Sequence, residues 1–360
     1  MNYTFSHLAH PFPDGSKRMT EPVRNRKNRA AKYVGVKPYL CGMAQLGTDV
    51  QKAKDFLEQG EVIGIPTETV YGLAGNALNP DAVLKIFKVK NRPSFDPLIV
   101  HTDSIDKVEA FVTAIPEKAR QVAERFWPGP VTILLPKKAV IPDLVSSGLP
   151  TVAVRIPAHP LAQKLLAVLD FPLAAPSANP FGYISPTTAR HVAQQLGDQI
   201  PYVLDGGPAQ VGIESTIIGF GDGGPIVYRL GGMTLEKLEA VIGKVAVRSH
   251  STSNPKAPGM LSSHYAPRKP LLLKTPQEAL KTHKPERIGV LAFEALTRLI
   301  PAENQQILSV TGDLAEAAKN LFAAMRALDA LEVDVIVAEL LPETGLGRAV
   351  NDRLRRAAFK

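Results

Sequence analysis

The chain is predicted to be α/β, a twisted mixed open sheet with flanking helices followed by a small α/β unit. Three observations predict this. Short apolar runs of strand length alternate with helical stripes from about residue 47 to 243. A polar stretch at 249–259, with three Ser, two Pro and a Gly, then interrupts the rhythm. Beyond it the alternation resumes over about 90 residues, enough for a small domain.

The elements follow in order. Val50, Ala53, Phe56 and Leu57 form a helical stripe after Thr48 as N-cap, and Gly60 closes it. Residues 62–65 read as a buried strand. Asn79-Pro80 is a cap followed by proline at the first helical position, with Val83, Leu84 and Phe87 on one face. Residues 97–101 are a strand, Pro116 opens a helix, and 131–135 and 152–156 are strands. A helix spans 159–169 and a strand 173–175. Ser185-Pro186 starts a helix that Gly197 ends. Strands follow at 202–204, 215–220 and 226–230, and Thr234 caps a helix running to Gly243. In the second part, 288–292, 306–310 and 333–338 are strands, 313–331 is an amphipathic helix, and a terminal helix follows the loop 342–347.

Composition narrows the function classes. Of 360 residues, 45% are hydrophobic and 21% charged, enough apolar material for a real core. One cysteine, Cys41, excludes an intramolecular disulfide and a cysteine-based zinc cluster, and suits a reducing compartment. No apolar run reaches the roughly 18 residues of a membrane helix. Asp14, Lys17 and Arg18 stand where a signal peptide needs an apolar core, so a cytoplasmic location with no membrane contact is expected. The net charge of +8 is concentrated: residues 1–40 hold eight basic and two acidic residues, a net +6, which leaves +2 for the rest. Residues 1–45 read as a basic flexible arm that suits a solvated tail better than an RNA-binding element.

Four clusters at strand ends bear polar chemistry, and ligands of open α/β sheets bind beyond strand ends. The first is Pro66-Thr67-Glu68-Thr69-Val70-Tyr71-Gly72-Leu73, which by itself reads first as a threonine-capped turn and second as hydroxyls for a small polar ligand. The second gathers Lys85, Lys88, Lys90 and Arg92 at a helix end. Cations there complement the helix dipole. Pro93 stops the helix and turns Lys90 and Arg92 into a loop, where a point-charge lysine beside a bidentate arginine suits a polyphosphate. The third holds Arg155 inside an apolar strand pattern, followed by Pro176-Ser177-Ala178-Asn179. A buried arginine needs a partner, either a protein carboxylate or a ligand anion. The fourth joins Asp205-Gly206-Gly207-Pro208, Gly212-Ile213-Glu214-Ser215-Thr216 and Tyr228-Arg229-Leu230-Gly231-Gly232, either hairpin turns or places of close ligand approach. No P-loop, no G-x-G-x-x-G after a strand and no H-E-x-x-H is present.

Taken together, Thr67-Glu68-Thr69-Val70-Tyr71-Gly72-Leu73, Lys90-Asn91-Arg92-Pro93, Pro97-Leu98-Ile99-Val100-His101, Phe126-Trp127-Pro128-Gly129-Pro130, Pro176-Ser177-Ala178-Asn179 and Glu214-Ser215-Thr216 resemble, in order and spacing, the threonylcarbamoyl-AMP synthase family and its YrdC-like catalytic domain. The resemblance covers 46–244. Residues 245–272, containing Ser263-His264-Tyr265-Ala266-Pro267, resemble the linker of the family's long form, and 273–360 its small Rossmann-like domain.

The resemblance implies formation of threonylcarbamoyl-AMP and pyrophosphate from L-threonine, bicarbonate or CO2, and ATP, with Mg2+ expected alongside ATP. A separate transferase would then carry the group to tRNA. No nucleophilic residue is required, so the work is positioning and charge neutralisation. By position, Thr69, His101, Arg155, Ala175 and Ser215 are implied to bind threonine. Arg92, Asp96, Thr151, Ser177, Ser185, Arg229 and Tyr265 are implied to bind ATP, with Lys90 and Arg92 at the phosphates and Ser185 also capping a helix. Asp96 stands where many relatives carry Asn. A carboxylate repels phosphate, so it suits ribose, base or metal. Two other readings are a double-stranded RNA or tRNA module without catalysis, which the nearly neutral body disfavours, and a carbamoyl phosphate enzyme of the hydrogenase-maturation kind, whose zinc finger one cysteine cannot build. A weak tRNA contact is compatible with the first. Proline on both sides of Tyr265 suggests that 255–270 is a lid.

Overall fold

The strands of the larger sheet are built where the sequence is most apolar. In this computed structural model, which describes residues 44–221, 223–248, 257–261 and 263–359, they are β1 (Gln45–Gly47), β2 (Ile63–Ile65), β3 (Gly72–Asn76), β4 (Ile99–His101), β5 (Val131–Pro136), β6 (Thr151–Arg155), β7 (Leu173–Ala174), β8 (Tyr202–Leu204), β9 (Thr216–Gly221), β10 (Gly224–Arg229) and β11 (Ala246–Val247). Between them run α1 (Val50–Glu58), α2 (Pro80–Lys90), α3 (Ile105–Glu109), α4 (Glu117–Phe126), α5 (Asp143–Ser146), α6 (Pro160–Ala167), α7 (Ala189–Leu196) and α8 (Leu235–Ile242). The order across the sheet is β1-β8-β2-β3-β7-β4-β6-β5-β9-β10-β11, with parallel and antiparallel pairs mixed. The sequence-based class is therefore correct.

Period-two alternation divides the sheet into two faces. Val152 and Val154 of β6 enter the large core with Val100, Ile133 and Ile218, beneath helices such as α4. Their neighbour Ala153 faces the other way, with Ile99 of β4 and Ile217 of β9. That second face is covered by Ala257 and Met260, from the segment leading out of the larger sheet. Ala257 is fully buried.

The smaller sheet holds β12 (Leu271–Leu273), β13 (Ile288–Ala292), β14 (Gln305–Ile307) and β15 (Val335–Ala338), all parallel in the order β12-β15-β13-β14. With it go α9 (Pro276–Ala279), α10 (Leu314–Ala330) and α11 (Gly347–Ala358). One cluster joins Tyr265 and Ile184 to Phe322, Met325 and Leu354 of α10 and α11, so the two sheets share a core. Among the described residues no helix is long and apolar enough to cross a membrane.

Local rules account for most helix limits. Asn79 caps α2 by accepting from the Asp81 and Ala82 amides, and Thr234 caps α8, which Gly243 ends. Other expectations are corrected. Asp49, not Thr48, caps α1. Ser185 does not open a helix; Thr188 accepts the His191 amide and α7 begins at Ala189. Lys90 is not in a loop but is the last residue of α2, whose left-handed cap is Asn91. The arm at 1–43, with Cys41, and the linker centre at 249–256 lie outside the described residues.

Candidate active site

Strand direction alone brings the third and fourth motifs to one edge of the sheet. β4 and β6 are parallel with His101 opposite Arg155, so both strands end on these side chains. β5 runs antiparallel to β6 and parallel to β9, which places Ser215, just before β9, at the same edge. β10 is antiparallel to β9 and ends there on Arg229. The loops after β2 and β7 bring Thr67, Thr69, Ala175 and Ser177. All of these line one pocket, together with Arg92, Pro258, Gly259, His264 and Tyr265.

On one side the groups sit on strand ends and short loops. Arg155 is 3% exposed. Its Nε donates to the Gly129 carbonyl at 3.1 Å, its Nη1 to the Thr69 hydroxyl at 2.8 Å, and its Nη2 is ion-paired with Glu68 at 2.7 Å. Glu68 Oε2 in turn accepts the Ala158 amide. Burial, and then the Arg155 charge, push the His101 imidazole down to about 3, so it is neutral at ordinary pH. His101 Nδ1 is buried without a hydrogen-bond partner. A buried polar atom left so costs about 1–3 kcal/mol, which a ligand would recover.

On the other side the cations come from the loop after α2 and from the end of β10. Arg92 donates to the carbonyls of Asp96 and Pro97 and is ion-paired with the Asp96 carboxylate at 2.9 Å. Arg229 donates to the Ser215 carbonyl and hydroxyl, each at 2.9 Å, and the same hydroxyl meets Thr132 at 2.7 Å. Burial lowers the Arg229 guanidinium to about 10, still cationic at neutral pH. No carboxylate lies within ion-pair distance of Arg229 among the described residues, unlike Arg92 and Arg155. Gly231 lets the chain turn here: a Cβ would stand 2.3 Å from the Glu214 carbonyl and 2.5 Å from the Thr216 amide. Gly259, at φ +73°, brings its backbone against Arg229 and the Tyr265 hydroxyl.

Four residues from the sequence-based set are not on the pocket wall. Lys90 is 1% exposed, and its Nζ is held by the carbonyls of Ser177 and Asn179. Burial and the nearby Arg92 charge hold its ammonium well below the ordinary lysine range. It fastens the 176–179 loop rather than reaching the cavity. Asp96 is fully buried against Arg92, so it is not free for ribose, base or metal. Ser185 is fully buried and donates to Glu214. Thr151 begins β6, four residues and roughly 13 Å of strand from Arg155. Sequence reasoning assigned no role to Glu68, nor to Arg353 and Arg356, which lie far along the chain and carry no motif.

The protein residues do not fit a resident Mg2+ site. Among the described residues no three His, Cys, Asp or Glu side chains converge on one point. The nearby carboxylates Glu68, Asp96 and Glu214 each face an arginine.

A pocket at the edge of a mixed sheet, lined by three buried arginines and closed by an aromatic segment, defines an α/β enzyme for small anionic substrates. Comparison with known proteins makes this specific. A family model described as Telomere recombination matches residues 55–231, and one described as Threonylcarbamoyl-AMP synthase, C-terminal domain, matches 233–359. The threonylcarbamoyl-AMP synthase of Pyrococcus abyssi is 41% identical over 318 residues, spanning 86% of this chain and 94% of that protein. That of Bacillus subtilis is 42% identical over 320 residues, spanning 86% and 92%. The crystal structure of P. abyssi Sua5 complexed with L-threonine superposes with a TM-score of 0.80 at 40% identity, covering 86% of this chain and 94% of that one. The chain belongs to the threonylcarbamoyl-AMP synthase family. It is therefore an enzyme of the nucleotidyltransferase class, and the catalytic reading prevails over a binding module.

Proposed function

We propose that the pocket holds L-threonine at its strand-end side and ATP at its loop side. The observation that carries this is the meeting of the buried, unbonded His101 Nδ1, the buried Arg155 and Arg229 on one pocket wall. Arg155 binds the threonine carboxylate, with Thr69, His101, Ala175 and Ser215 around the amino acid. The amine captures CO2 from bicarbonate, and a carbamate oxygen attacks the α-phosphorus of ATP as pyrophosphate leaves. Arg92 and Arg229 neutralise the charge that builds on the phosphates, while Ser177 and Tyr265 hold the nucleotide. Lys90 acts from behind, by fixing the Ser177 loop. The catalytic body is 46–244, and the segment within 245–272 that carries Tyr265 serves as a lid that keeps water from the carbamate and mixed anhydride. The product passes to a separate threonylcarbamoyl transferase acting on tRNA.

Pyrophosphate release tests the reading. It is expected only with ATP, threonine and bicarbonate together. Equal turnover with valine, which has a methyl for the hydroxyl, would remove the threonine pocket, because a hydrogen-bonding site rejects an analogue lacking its polar group.

A further inference from the structure

The last helix buries two arginines. Arg353 is fully buried and Arg356 is 2% exposed. Burying a guanidinium costs several kcal/mol unless its partners are well arranged. Outside the helix itself, the partners of Arg353 are Glu214, on the pocket wall, and Leu230, next to Arg229. Arg353 Nε donates to Glu214 Oε2 at 3.0 Å, with Nη2 at the same distance. Its Nη1 donates to the Leu230 carbonyl at 2.6 Å and to Asp352 at 3.0 Å. Glu214 precedes Ser215, and Leu230 follows Arg229. Arg353 thus grips the neighbours of two pocket residues that are themselves hydrogen-bonded to each other.

The same helix holds Tyr265. Its ring lies 5.2 Å from the Arg353 guanidinium and 4.9 Å from that of Arg356. Arg356 also donates twice to the Leu261 carbonyl, and its own carbonyl accepts the His264 amide. Tyr265 sits at φ +65°, a conformation that a non-glycine residue keeps only when its surroundings enforce it.

We infer that Arg353 is a positioning residue: from α11 it fixes the Glu214–Ser215 and Arg229–Leu230 segments and the Tyr265 ring, so that the smaller sheet's unit completes the nucleotide side of the pocket. This rests on the assignment of ATP to that side. Arg353→Met in the full chain is expected to raise the KM for ATP about tenfold or more and the KM for threonine, to which Ser215 contributes, by a smaller factor. Arg353→Lys should recover part of the loss, since it keeps the charge without the fork. Amide exchange at 257–265 should quicken in Arg353→Met while β4 and β6 stay protected. An unchanged KM for ATP with unchanged exchange at 257–265 overturns the inference, as does an equal rise in both KM values. If Arg353→Met does not fold, Arg353→Lys carries the same two readouts. If the wild-type chain releases no threonine-dependent pyrophosphate, the proposed function fails instead. Exchange at 257–265 and the affinity for a non-hydrolysable ATP analogue then still judge Arg353.

Discussion

The two sides of the pocket are built differently. On the side proposed for the amino acid, Arg155 and His101 end adjacent parallel strands, and the Arg155 partners Gly129, Thr69 and Glu68 lie within the same sheet or its loops. On the side proposed for the nucleotide, Glu214, Leu230 beside Arg229, and Tyr265 meet a helix more than 80 residues further along the chain. Arg155 also has a carboxylate partner, whereas among the described residues Arg229 has none within ion-pair distance. The lesson is that equal burial does not mean equal dependence. Both strand-end arginines are held by hydrogen bonds within the larger sheet and its loops, but the segments around Arg229 are gripped in addition by Arg353 of the second unit.

Arg155→Ala gives the largest expected effect. It removes the carboxylate clamp and strands Glu68, so the KM for threonine should rise by the equivalent of about 2–5 kcal/mol. The melting temperature should fall as well. A change confined to ATP would reverse the assignment of the two sides. Arg229→Met strands no carboxylate. Its loss should cost about 1.5–3 kcal/mol in ATP use, the value of hydrogen bonds to a charged group, with a melting temperature close to wild type. A severe loss of stability would break the contrast.

The pH dependence of stability is a smaller effect. Burial, then the Arg356 charge, hold the His264 imidazole well below its ordinary 6.5. Burial holds His191 at about 4 and His101 at about 3. Below pH 6.5 the unfolded chain takes up protons that the folded chain refuses, so stability should fall as the pH drops from 6.5 toward 4. His264→Asn should flatten the melting-temperature slope in that window by about one proton's share. An unchanged slope would mean that His264 is protonated in the folded protein. The smallest expected effect is Thr151→Ala, within about 0.5 kcal/mol in stability and ATP use, because Thr151 stands off the pocket wall. A clear rise in the KM for ATP would bring it back into the nucleotide set.

Local chemistry made much of this molecule legible in one dimension. Asn79-Pro80 caps and opens α2 because the asparagine oxygen needs only the next amides along the chain. Thr234 and Gly243 bound α8 for equally local reasons. β3 escaped notice because Gly72-Leu73-Ala74-Gly75-Asn76 lacks the branched residues that mark a strand; its pairing with β2 and β7 makes it one. Ser185 looked like a cap because serine before proline so often is one, but its hydroxyl is taken by Glu214, 29 positions away.

The sequence by itself determined the α/β class, most helix limits, the family, and the residue types at the strand ends, since each rests on short-range pattern. Only the tertiary structure decided which of those residues share a wall. Sheet order placed His101, Arg155, Ser215 and Arg229 at one edge, although they span about 130 positions. Packing sent Lys90 into the loop carbonyls, sealed Asp96 against Arg92, and brought Arg353 beneath Glu214 and Tyr265. The physical reason is that a buried charge takes whatever partner the closed core brings within about 3 Å, and that distance is set by folding, not by separation along the chain.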